Sequence, residues 1–206
     1  GRIKGRGAEV SGELVITSLS ALGAVLTPVL ADFQQAHPDL VVRFLTGDRL
    51  FRLEYGEAHV AVRAGPIPEE PDNVVQPLAI MPVGLFASKG YAAQHGLPTG
   101  IEDFGGHRFV GLDSLRTRAP FQMWLNDTIS REQLVFRASD PKILEQAVLG
   151  GAGIGFLPRW MIQERNDLIE VIPPHENWQG PLWLVTHVDL HRTTKVQAFL
   201  DFLKER

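Results

Sequence analysis

A chain of 206 residues, 44% of them hydrophobic and 21% charged, is long enough to bury a core without disulfide or metal staples. It has no cysteine, which excludes a disulfide scaffold, a cysteine-ligated zinc or iron–sulfur site and a thiol nucleophile. Its 20 basic and 24 acidic side chains leave a net charge of −4. That is the wrong sign for a surface that holds DNA by neutralising phosphates, and no apolar run approaches the ~18 residues of a membrane helix.

Residues 1–11 lack periodicity and read as a linker remnant, with Arg2, Lys4 and Arg6 as the only basic cluster. Leu14-Val15-Ile16 suits a buried strand. Leu22, Val25, Leu26, Val29, Leu30 and Phe33 then recur at helical spacing, and Pro28 among them predicts a kink rather than a break. A strand over Leu40–Leu45, a turn at Gly47-Asp48, a short helix through Leu50-Phe51 and Leu53–Tyr55, and a strand over His59–Arg63 follow. A loop from Gly65 to Pro71 closes this half, whose order is that of an open, mostly parallel α/β sheet.

The second half repeats the alternation. Strands are expected at Met81–Ala87, Phe109–Leu112, Leu134–Phe136, Ile154–Leu157, Leu168–Ile172 and Leu182–Val185, and helices at Lys89–His95 and Phe121–Leu125. Asp140-Pro141 supplies an N-cap and a first-turn proline, Ile143, Leu144, Ala147 and Val148 an apolar stripe, and Gly150-Gly151 a stop. Val196, Phe199, Leu200 and Leu203 form the last helix behind Thr193-Thr194. Two α/β units without a flexible linker between them is the resulting organisation.

Motifs for catalysis and cofactor binding fail on inspection. Gly151-Ala152-Gly153-Ile154-Gly155 has neither the spacing nor the strand-to-helix context of a phosphate loop, and reads as a helix stop and tight turn. No nucleophile elbow surrounds Ser18 or Ser114. His187 and His191 end a strand and precede a helix with no third ligand nearby, which suits structural histidines. Glu69, Glu70 and Asp72 occupy a proline-bounded loop rather than opposed positions. The expectation is a non-enzyme without cofactor or metal.

Several stretches together resemble the effector-sensing domain of LysR-type transcriptional regulators. They are the entry Ser11-Gly12-Glu13-Leu14-Val15-Ile16, the helix ending Phe33-Gln34-Gln35-Ala36-His37-Pro38-Asp39, and the strand Val60-Ala61-Val62-Arg63-Ala64-Gly65-Pro66. The run from Gln146 through Gly150-Gly151-Ala152-Gly153-Ile154-Gly155-Phe156-Leu157-Pro158 and the last helix complete the set. Many members carry Asp where this chain has His59. The resemblance implies a two-lobed α/β fold like type 2 periplasmic binding proteins, with two crossovers and an effector cleft between the lobes. One lobe would comprise 12–84 and 186–206, the other 85–185. It also implies a bacterial, cytoplasmic regulator whose N-terminal winged helix-turn-helix is absent here. Such a protein would dimerise through the first-lobe helix and the strand Leu40–Leu45, form higher oligomers at full length, and touch DNA only through the missing part. A solute-binding protein of a transporter is the alternative on the same fold.

Ligands of open α/β sheets bind at the carboxyl ends of the strands. On the first lobe those ends are Ser18, Leu19 and Ser20, with Asp48 and Arg63 beside them; free backbone N–H groups and two hydroxyls there suit a carboxylate. Ser20 could equally serve as a helix cap, and Arg63 as a rim residue paired to Asp48 or Glu69. On the second lobe the candidates are Ser114, Ser139, Phe156 and Leu157, with Phe156-Leu157 expected to offer apolar surface. Asp140 as an N-cap would repel an anion there, which favours the first lobe for the charge.

Overall fold

The computed structural model describes residues 10–46, 53 and 57–205. The Gly47-Asp48 turn and all but Leu53 of the short helix expected after it lie outside the described residues. The chain divides into two compact units. The first is drawn from Gly1–Arg63, Ile67–Leu78 and Leu182–Arg206, the second from Ala64–Pro66 and Ala79–Pro181.

The first unit carries a five-stranded sheet in the order β2-β1-β3-β10-β4, made of β1 (Gly12–Ser18), β2 (Leu40–Thr46), β3 (Val60–Ala64), β4 (Asn73–Met81) and β10 (Gly180–His187). β1 runs parallel to β2 and to β3, with Ser18 beside Thr46 and Thr17 beside Ala61. The apolar stripe in the sequence becomes α1 (Gly23–Ala36), one helix that holds Pro28 and buries Leu26, Leu30 and Phe33. Phe33 meets Phe199 and Phe202 of the last helix, α6 (Thr194–Lys204), at ring-centroid distances of 5.3 and 5.2 Å. Each such buried side chain contributes about 1.5–3 kcal/mol.

β4 departs from expectation, because the sequence assigns no element between the loop ending at Pro71 and the strand expected from Met81. Pro77 and Pro82 hide the strand, yet β4 lies at the edge of the sheet and Pro77 is exposed. A missing N–H is tolerated on an edge.

In the second unit β5 (Val83–Ser88) is buried along its whole length between β8 (Gly155–Pro158) and β9 (Leu168–Ile172). Both pairings are antiparallel, so the parallel character read from the alternating elements does not extend to this ladder. β6 (Phe109–Leu112) and β7 (Leu134–Ala138) make a parallel pair, and Phe109 also bridges Ile154 in parallel. Alternation along β5 feeds two cores: Leu85 and Ala87 join Phe109, Leu125 and Trp178, while Phe86 joins Val148, Leu157 and Met161. α2 (Lys89–His95), α3 (Pro120–Thr128) and α4 (Pro141–Leu149) complete the unit.

The glycine-rich run between α4 and β8 is the expected helix stop and tight turn, and it is also closely packed. Gly151 has φ +83°, and a Cβ on Gly153 would lie 2.9 Å from the Arg108 carbonyl oxygen. A Cβ on Gly155 would lie 2.7 Å from Val148 Cγ2.

Candidate functional site

Ser18 is the last residue of β1, at the carboxyl edge that β1 shares with β2 and β3. From there the chain passes over Leu19, 48% exposed, into a 3-10 turn (Ser20–Leu22) that leads straight into α1. Neither the turn nor α1 has a side-chain cap: their N-cap residues are Leu19 and Leu22. The Leu22 N–H donates to the Leu19 carbonyl and the Gly23 N–H to the Ser20 carbonyl, so it is the first N–H groups of the turn, those of Ser20 and Ala21, that have no intrahelical partner.

The two serines differ. Ser18 is buried, and its Oγ donates to the Leu19 carbonyl at 2.9 Å, which leaves its oxygen as an acceptor only. Ser20 makes no cap bond, and its hydroxyl has no hydrogen-bond partner among the described residues. The capping role open to Ser20 is therefore not the one it plays.

Arg63 stands two residues beyond the Thr17–Ala61 pair, at the same edge. Strand alternation puts it on the face of Thr17 and Ala61, and Ser18 on the opposite face. The two candidates thus flank the strand ends without sharing a face. Arg63 Nη1 donates to Glu70 Oε1 at 3.1 Å, with side-chain exposures of 18% and 52%. Its partner is Glu70, not Glu69, because Glu70 is the loop carboxylate that reaches back to the strand end. Asp48 lies outside the described residues.

What His59 does is not legible in the local sequence. Its backbone N–H donates to the Val15 carbonyl, and the Val15 N–H donates to His59 Nδ1, both at 2.8 Å. A backbone N–H can only donate, so Nδ1 is unprotonated and the neutral ring carries its proton on Nε2. Burial, then Lys195, hold the imidazole below its ordinary value near 6.5, partly offset by Glu13.

In the second unit Ser114 and Ser139 come together at the carboxyl ends of β6 and β7, where Leu112 pairs with Ala138 and the Asp113 N–H donates to the Ala138 carbonyl. Ser114 Oγ accepts from the Arg116 N–H at 3.1 Å. Ser139 is exposed. Asp140 caps α4 by accepting from the Lys142 N–H at 2.9 Å, so a carboxylate already occupies that helix start. Phe156 packs among Phe121 and Trp178 at centroid distances of 5.1 and 4.9 Å. Leu157 needs correction: at 1% exposure its side chain belongs to the core with Phe86 and Met161, because alternation along β8 turns it inward, and it offers a ligand no apolar surface.

His187 and His191 are structural. His187 Nδ1 accepts from the Asp189 N–H, and His191 Nδ1 bonds the Thr186 hydroxyl. Among the described residues no group of three His, Asp or Glu could hold a metal ion. No described helix is long and apolar enough to cross a membrane.

Known proteins are similar to this chain in sequence and in fold. The probable HTH-type transcriptional regulator LtrA of Klebsiella pneumoniae is 25% identical over 205 residues, covering 94% of this chain and 65% of its own length. The HTH-type transcriptional activator AaeR of Escherichia coli is 26% identical over 187 residues, covering 88% and 60%. The chain thus spans less than two thirds of the length of these relatives. The regulatory domain of CrgA from Neisseria meningitidis superimposes with a TM-score of 0.79 at 24% identity, covering 95% of this chain and 98% of that one. The longer CrgA structure gives 0.79 at 26%, covering 95% and 68%. The model of the LysR substrate binding domain matches residues 7–206, nearly the whole length, and this chain belongs to the LysR substrate binding domain family.

Proposed function

We propose that this chain is the effector-sensing part of a longer cytoplasmic transcription regulator, and that its effector is a small anion, most simply a carboxylate. The observation that carries the anionic reading is the junction of β1 and α1. It offers the first backbone N–H groups of the Ser20–Leu22 turn, and a Ser20 hydroxyl with no hydrogen-bond partner among the described residues, at the carboxyl edge of a parallel strand pair, with Arg63 at the same edge supplying the positive charge. Backbone donors and a helix dipole favour an anion there. The start of α4 is the poorer choice, because Asp140 already fills it.

The regulatory role rests on the relatives, which are transcription regulators by name. DNA contact then falls to a helix-turn-helix outside this chain, in keeping with the net charge of −4. The chain itself forms a homodimer, and the whole regulator a higher oligomer. Ser114, Ser139 and Phe156 remain binding candidates on the second unit.

A thermal-shift screen of the purified chain against small organic acids and their neutral amides tests the reading. An acid at 100 times its dissociation constant adds about 2.7 kcal/mol of stability. Stabilisation by the amides as strong as by the acids would show that charge is not what the site recognises.

A further inference from the structure

The contact between Arg63 and Glu70 is lopsided in a way that suggests exchange. Arg63 is only 18% exposed, whereas Glu70 is 52% exposed in a loop that carries Pro66, Pro68 and Pro71. A guanidinium removed this far from water needs an anion beside it, while a carboxylate so exposed can lose its partner to solvent at little cost. The pairing is also incomplete. A guanidinium presents a planar fork that carboxylates grip through two parallel bonds, yet here one bond, Nη1 to Oε1 at 3.1 Å, joins the two groups. Arg63 stands at the carboxyl edge of β3, the edge at which β1 delivers Ser18.

We propose that Glu70 is a built-in competitor for the effector: its carboxylate occupies Arg63 in the ligand-free chain, and an arriving anion takes the guanidinium while Glu70 swings out to solvent. This rests on the reading that the effector is an anion bound at the strand ends of the first unit. The consequence is a threshold. Only anions that grip Arg63 better than one exposed carboxylate displace it, which favours ligands able to make the bidentate contact that Glu70 does not.

The test is calorimetric titration with acetate, succinate, benzoate and sulfate, at constant ionic strength, of the native chain and four variants. Glu70→Gln removes the competitor and tightens binding of the responsive anion by about two- to fivefold, the range that exposed ion pairs support. Glu69→Gln removes the same charge from the neighbouring position and leaves affinity within a factor of about 1.5, a gap too small for a specific contact. Arg63→Gln weakens binding at least about tenfold. In that background Glu70→Gln gains nothing, because there is no guanidinium left to release. Melting curves confirm that each variant is folded.

Equal tightening by Glu69→Gln and Glu70→Gln would reduce the effect to general charge and overturn the exchange. Binding by the native chain that Glu70→Gln leaves unchanged would overturn the exchange and spare the anionic effector. If no anion binds either the native chain or Glu70→Gln, both readings fall.

Discussion

Ser18 and Ser20 lie two residues apart, and the fold makes different demands on them. Ser18 spends its proton on the Leu19 carbonyl, while the Ser20 hydroxyl has no hydrogen-bond partner among the described residues. Ser20→Ala is therefore expected to leave the melting temperature where it was and to weaken anion binding about tenfold, since a hydrogen bond to a charged group contributes roughly 1.5–3 kcal/mol. Ser18→Ala should show the reverse emphasis, losing about 0.5–1.5 kcal/mol of stability with the lost bond. Calorimetry beside melting curves separates the two, and a loss of stability in Ser20→Ala with affinity intact would return Ser20 to the role of a cap. His59 provides a second test at this scale. Its neutral ring accepts the Val15 N–H, and its pKa is lowered chiefly by burial. The native state then takes up its proton later than the unfolded chain as pH falls. The contribution of His59 is complete above about 6.5, declines as pH drops toward the lowered native value, and is constant below it. Urea melts at pH 7.5 and 5.5 should show the native chain losing stability over that window by more than His59→Ala does. The variant should sit lower at pH 7.5 by about 1–3 kcal/mol, the cost of an unsatisfied buried donor.

Elements were legible in the sequence where local chemistry alone decides them. Asp140-Pro141 and Gly150-Gly151 bracket α4 because a cap, a first-turn proline and a positive-φ glycine act within a few residues of themselves. The spacing of Leu26, Leu30 and Phe33 gave α1 for the same reason. Features set by partners far along the chain were not legible. β4 shows no alternation because an edge strand with an exposed proline has little to bury. The antiparallel ladder around β5 depends on which distant strands flank it. Which of two adjacent glutamates reaches Arg63, and that Val15 finds its acceptor 44 residues away on His59, are long-range facts of the same kind. The glycine turn shows both levels at once: sequence context rejected a phosphate loop, and only packing explains Gly153. A Cβ there would press on the backbone of Arg108, which cannot rotate away. Gly153→Ala is expected to cost about 1–3 kcal/mol, the range for overpacking. Gly105→Ala, whose Cβ meets nothing within 4 Å, should change stability by less than about 0.5 kcal/mol. Comparable losses in the two variants, measured by denaturant melts, would remove the packing explanation.

At the scale of the whole molecule the open question is what meets the apolar side chains that the units leave in water. β2 is an edge strand with Val41 53% exposed, and Val25 on α1 is 44% exposed. In the second unit the edge strand β7 shows Val135 at 42% and Phe136 at 37%. Natural sheets blunt such edges with charge, proline or a cover, and β4 follows that rule with Pro77 whereas these valines do not. A second copy of the chain is the cover proposed here: α1 and β2 of one protomer against the second unit of its partner, and the reverse, as a two-fold interface requires. At the ~800 Å² per partner of a standard interface, such contact suffices for association at tens of micromolar. Val41→Glu places a charge where that interface would be dry but where the single chain is already wet. The variant should therefore melt within about 0.5 kcal/mol of the native chain and sediment as a monomer at a concentration where the native chain is a dimer. Val135→Glu should act in the same way from the other side, since each protomer contributes both faces. If sedimentation finds the native chain monomeric at tens of micromolar, or either glutamate variant still dimeric, the exposed valines have another purpose and the proposed pairing fails.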